Sequence, residues 1–141
     1  MTTTTIPALE PAIQKTNLWL SELAEELGRD YHFAYQGLRA TLHALRDRLT
    51  IEETSDLASQ LPMVIRGIYY EGWNPSHTPT SERDLDSFLQ RIADEMGGIP
   101  TGDPEVAARA VFKLLAAHCT EGQIDHVRGS LPKELRTLWP E

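Results

Sequence analysis

Apolar residues recur along this chain at intervals of three and four. Ile13, Thr16, Leu20, Leu23 and Leu27, flanked by Trp19 and Ala24, trace one face of a helix beginning near Pro11. Gly28 supplies its stop, because glycine tolerates the left-handed conformation that ends helices. Asp30 caps a second helix whose apolar stripe is Ala34, Leu38, Leu42, Leu45 and Leu49. Its opposite stripe is His32, Gln36, Arg39, His43 and Arg46, a pattern that predicts a solvated face. Thr50 to Glu53 form a T-x-x-E capping box that opens a short third helix through Leu57 and Leu61. Pro62 sits well in the first turn of a fourth, which turns Ile65, Ile68 and Tyr69 inward and fades near Gly72.

The same order then returns. WLSELAEELG at 19–28 reappears as FLQRIADEMG at 88–97, and LPMVIRGIYY at 61–70 as LPKELRTLWP at 131–140, offset by 69 and 70 residues. Ser81 with Asp84 predicts the cap of the fifth helix, and Leu85, Phe88, Leu89, Ile92 and Met96 its stripe. Asp103-Pro104 opens the sixth, and Thr120 to Gln123 repeat the capping box of the third. No segment alternates with period two. The pattern therefore predicts an all-α chain of eight helices in two tandem homologous four-helix units, packed as one compact helical body. Residues 1–8 read as a loose N-terminal arm, 9–73 as the first unit, 74–80 as a linker and 81–141 as the second unit.

Charge and composition narrow the functional classes. The net charge is −8 over 141 residues. Residues 1–73 carry 6 basic and 10 acidic side chains and residues 74–141 carry 7 and 11, so neither unit is basic. Phosphate backbones and anionic lipid surfaces are bound through clustered Lys and Arg, so neither nucleic acid nor membrane is an expected partner. Cys119 is the single cysteine, which excludes an intrachain disulfide. MTTTTIPALE lacks the basic and then apolar order of a secretory signal, and the expected location is cytoplasmic.

The segment LASQLPMVIRGIYYEGWNP at 57–75 resembles the signature of the bacterial family called domain of unknown function 2267. FAYQGLRATLHALRDRLTIEE at 33–53, DPEVAARAVFKLLAAH at 103–118 and the closing LPKELRTLWP are similar to the same family. The resemblance covers roughly residues 10–140. It implies an all-helical, internally duplicated fold, and it carries no activity, cofactor or catalytic residue onto these positions.

The densest group of informative side chains is Arg66, Tyr69, Tyr70, Glu71 and Trp73. Aromatic residues and Arg dominate binding hot spots, but large aromatics also staple the end of a unit by burial. The repeat separates the two uses. Arg66 has an equivalent in Arg136 and Tyr69 in Trp139, whereas Tyr70, Glu71, Trp73 and the linker residue His77 have none. Arg66, Tyr70, Glu71, Trp73 and His77 are thus the candidate ligand or interface residues. Arg39, His43 and Arg46 form a second candidate, a face for an acidic or phosphorylated partner.

His118, Cys119 and His126 lack metal-site spacing, since adjacent helical residues diverge by about 100°. Cys119 falls where Leu49 falls in the first unit, the position of a small core residue. Gly97 to Gly102 are glycine-rich but lack the Lys-Ser/Thr ending of a phosphate loop. No nucleophile–base pair is apparent, so neither a metal nor a cofactor is expected. The sequence favours a non-catalytic protein-interaction or regulatory module whose partner is another protein. The alternative is a small-molecule binder using a groove between the units, lined by Arg66, Tyr70 and Trp73. A weaker third reading is an enzyme using Glu71 or His77. A homodimer is compatible with the sequence, although no heptad run requires one.

Overall fold

The computed structural model describes residues 6–97 and 103–140. Residues 1–5 of the expected arm, and most of the glycine-rich 97–102 stretch, lie outside the described residues. Among the described residues the chain is all-helical: α1 (Glu10–Leu27), α2 (Tyr31–Arg46), α3 (Ile51–Ala58), α4 (Met63–Tyr70), α5 (Leu85–Glu95), α6 (Pro104–His118), α7 (Glu121–Ser130) and α8 (Lys133–Arg136). A single 3-10 turn at Pro75–His77 interrupts the connection between α4 and α5.

Local chemistry sets most of these boundaries. Gly28 adopts φ 65°, and the next amide, from Arg29, returns to the Ala24 carbonyl at 3.1 Å, closing α1. The Asp30 carboxylate accepts the Phe33 amide at 2.9 Å and starts α2. Thr50 and Glu53 satisfy one another's amides at 3.2 and 3.0 Å, a complete capping box. Asp103 accepts the Glu105 amide at the start of α6, and Thr120 the Gln123 amide at the start of α7, where the expected box is half formed because the Thr120 amide donates to Gln60 Oε1 instead. The fifth helix departs from expectation: its cap is Asp84, whose carboxylate accepts the Ser87 amide at 2.9 Å, and Ser81 lies outside the helix.

One core joins all of the longer helices. Trp19 and Leu23 of α1, Leu38, Leu42 and Leu45 of α2, Phe88 and Ile92 of α5, and Phe112 and Leu115 of α6 belong to one buried cluster. α2 packs on α1, α4, α5 and α6, and α6 packs on α1, α2 and α5. The α2–α6 approach is close because small residues line it. A methyl group added at Gly37 would sit 3.6 Å from the Ala107 Cβ. α1 lies against α6 as α5 lies against α2, and α3 meets α7. The residues of α1–α4 and α5–α8 thus interlock around a shared interior. Lys113 to Glu26 at 2.9 Å and His118 to Glu22 at 2.7 Å add surface links across it.

The α1 stripe is rotated from the expected one. Thr16, Trp19 and Leu23 are buried, while Ile13 is 47% exposed. The apolar arc of α1 is wider than its neighbours cover.

Candidate functional site

The polar stripe of α2 packs against the rest of the protein, and the reason lies in α4. Every helix leaves its last carbonyls without intrahelical donors, and a buried helix end must find them elsewhere. α4 ends at Tyr70 against the flank of α2. His43 Nε2 lies 2.6 Å from the Ile68 carbonyl oxygen. Arg46 Nη1 donates to the Tyr69 and Glu71 carbonyls at 2.9 and 2.8 Å. Two cationic-type side chains of α2 therefore close the C-terminal end of α4, where the helix dipole also favours positive charge.

The same side chains reach carboxylates. His43 Nδ1 is 2.6 Å from Glu95 Oε2 on α5. Arg39 Nε donates to Glu71 Oε1 at 2.7 Å, and its Nη1 lies 3.7 Å from Glu95. Arg46 Nε donates to Asp47 Oδ1 at 2.8 Å, and Arg91 of α5 pairs with the other Asp47 oxygen. A continuous network thus runs from Glu71 through Arg39, Glu95 and His43, and a second from α4 through Arg46 and Asp47 to Arg91. Both join α2 to the seam between α4 and α5.

These contacts take His43 and Arg46 out of the expected partner face and leave the Arg39 side chain 31% exposed. His43 and Arg46 are only 4% and 3% exposed, and their polar atoms are committed within the chain. Period alone marked them as opposite the core stripe; α4 and α5 cover them.

The other sequence candidates separate. Arg66 donates from Nε to the Ala58 carbonyl and from Nη2 to the Leu61 carbonyl, each at 2.9 Å, closing the end of α3. Arg136 donates to Leu131 and Gly129 at 2.9 and 3.1 Å, at the end of α7. Tyr69 is fully buried and donates to the Thr54 carbonyl at 3.1 Å; burial raises its pKa, partly offset by that bond. Tyr70 and Trp73 lie side by side, their rings tilted by 47° with centroids 5.3 Å apart, and Trp73 Nε1 is buried without a partner among the described residues. His77 is exposed, its Nδ1 3.1 Å from the side-chain Nδ2 of Asn74. The hydrogen bond from Arg39 and its positive charge hold Glu71 below the usual carboxylate range. An acid–base carboxylate working near neutrality needs the opposite shift. Neither Tyr70 nor His77 hydrogen-bonds to Glu71 among the described residues.

His118 stacks on Trp19 at 4.4 Å, and Cys119 is buried, its thiol pushed up to about 11 by desolvation. Among the described residues no three His, Cys, Asp or Glu side chains gather as metal ligands.

Two surface features went unread in the sequence. An open cleft of about 820 Å³ lies between the end of α2, the 80–82 segment and α5, and Arg66, Tyr70, Glu71, Trp73 and His77 do not line it. The second feature is the uncovered shoulder of α1. From Leu9, the residues Ile13, Leu20, Ala24 and Leu27 fall within about 60° of one another around a helix. Leu9, Ile13 and, at the start of α2, Tyr31 are 43%, 47% and 60% exposed. Two shallow concavities of about 410 and 440 Å³ meet at Tyr31, one lined by Asn17 and Leu20, the other reaching Ala24 and Gly28.

The family model described as "Uncharacterized conserved protein (DUF2267)" matches residues 16–138. The chain belongs to the DUF2267 family. A search of curated proteins found no match. The DUF2267 span contains the whole α2–α4–α5 seam, from Arg39 to Glu95. It also contains Leu20, Ala24 and Tyr31, while Leu9 and Ile13 precede it. No helix among the described residues is long and apolar enough to cross a membrane.

Proposed function

We propose that the chain is a non-catalytic interaction module that docks another protein on the shoulder formed by α1 and the first turn of α2. The observation that carries this reading is the run of uncovered apolar side chains at Leu9, Ile13 and Tyr31, continuous in helical angle with the half-buried Leu20 and Ala24. Exposed apolar area of this kind, rimmed by polar residues, marks interaction surfaces more often than scattered single residues do. Asn17, Glu25, Arg29 and Asp30 supply the rim. The concavities beside Tyr31 suit one or two apolar side chains of a partner, and Tyr at such a position brings rigid contact area with a polar tip.

The scaffold behind this face is read as two copies of one four-helix unit. The matching bonds of Arg66 and Arg136 support that, as does the exchange by which α1 rests on α6 and α5 on α2. A reducing, cytoplasmic setting suits the single buried thiol of Cys119. A self-partner is a distinct outcome of the same face and is read by light scattering.

The test is co-purification of the full chain from its own cells. Ile13→Glu and Tyr31→Ala replace exposed residues and leave the core untouched. The expected result is one stoichiometric protein partner with the wild-type chain and its loss with either variant at unchanged Tm. Retention of that partner by both variants, or the absence of any stoichiometric partner, contradicts the reading.

A further inference from the structure

Arg48 differs from every other arginine near the seam. It is 8% exposed, and its Nη1 donates to the Glu82 backbone carbonyl. Its Nε is buried without an acceptor, and among the described residues no carboxylate forms an ion pair with it. Desolvation lowers its pKa, the signature of a charge stripped of water without full compensation. Thr80 Oγ1 is likewise buried and unpartnered. Both residues line the open cleft of about 820 Å³ beside α5, a size within the usual range of small-molecule sites.

The rest of the lining has the opposite character. Arg91 is occupied by Asp47, whereas Glu82, Asp86 and Asp94 present side chains to the cleft with no ion-pair partner among the described residues. A bare anion would meet the repulsion of this rim, and a bare polyamine would leave Arg48 Nε without an acceptor. A buried donor without a partner is costly, and a ligand acceptor would relieve that cost.

We infer that the cleft between α2 and α5 binds a small zwitterion of the basic amino-acid class. Its carboxylate meets Arg48 and Thr80, and its two ammonium groups meet Asp86 and Asp94, which stand about 12 Å apart along α5. This site is separate from the α1 shoulder, so the failure of either reading leaves the other standing.

The experiment is calorimetric titration of the full chain with L-lysine, acetate, putrescine and inorganic phosphate. L-lysine is expected to bind at least about tenfold tighter than each of the other three. Thr80→Val and Asp86→Asn are each expected to weaken L-lysine at least about fivefold at unchanged Tm. Arg48→Gln is expected to abolish binding, with circular dichroism checking the fold. Putrescine binding as well as L-lysine would mean that the acidic rim acts alone; acetate or phosphate binding as well would mean a simple anion site. Either result overturns the inference, as does absence of L-lysine binding or its persistence unchanged in Thr80→Val and Asp86→Asn.

Discussion

His43 of α2 and Glu95 of α5 meet at 2.6 Å, Nδ1 to Oε2, while the other ring nitrogen of His43 faces the Ile68 carbonyl of α4 at the same distance. A carbonyl oxygen only accepts, so Nε2 must carry a hydrogen. The Glu95 contact needs a second proton, held either by Nδ1 or by the carboxyl. One side chain thereby ties three helices through two hydrogen bonds, one at each ring nitrogen. Replacing His43 by Ala leaves the Ile68 carbonyl and the Glu95 carboxyl without this partner, and the expected loss of stability is about 2 kcal/mol. A double-mutant cycle of His43→Ala and Glu95→Gln, read by urea unfolding, should give a coupling of about 1 kcal/mol or more. Additive losses would show that the two residues act independently.

Gly37 offers a test of the central packing. It lies inside α2 without positive φ, and a methyl group there meets Ala107 at an ordinary van der Waals distance of 3.6 Å. Alanine restores helix propensity without a clash, so Gly37→Ala should stabilise the protein by about 0.5–1 kcal/mol. Gly37→Leu, which overfills the α2–α6 contact, should destabilise it by about 1–3 kcal/mol. A lower Tm for Gly37→Ala would mean that α2 and α6 lie closer than described.

Much of this arrangement is legible in the chain. Caps are local chemistry, so Asp30, Thr50, Asp103 and Thr120 are readable from neighbours within three residues. The core positions of α2 and α6 follow from period. What period cannot give is the cover over a face. His43 and Arg46 look solvated until α4 ends against them with carbonyls that need donors. Ile13 looks buried because the stripe of α1 continues through it, although its neighbours do not reach that far. Glu95 and Arg91 carry no signal of their own, because their partners are some fifty residues away in sequence.

Three carboxylates set the response to acid. Burial would raise Glu53, but hydrogen bonds from Ser130 and Thr50 outweigh it and hold the carboxyl below its usual range. Glu71 is lowered by Arg39, and Asp84 by the Ser87 amide and hydroxyl. A pKa depressed in the folded state gives stability that is complete above the unfolded value and lost as pH falls through the folded one. Stability should therefore stay level from pH 7 down to about 5 and decline below about 4. Glu53→Gln should flatten part of that decline while lowering stability near neutrality. An unchanged acid profile in Glu53→Gln would remove Glu53 from the account.

The docking face is tested most directly by a photo-crosslinking amino acid placed at position 13 in living cells, with position 18 as control. Leu18 is 52% exposed on the same helix and, at five residues on, points about 140° away from Ile13. Position 13 should crosslink to one defined protein that position 18 does not capture. Equal capture at both positions, or none at position 13, would contradict a docking surface on the shoulder of α1.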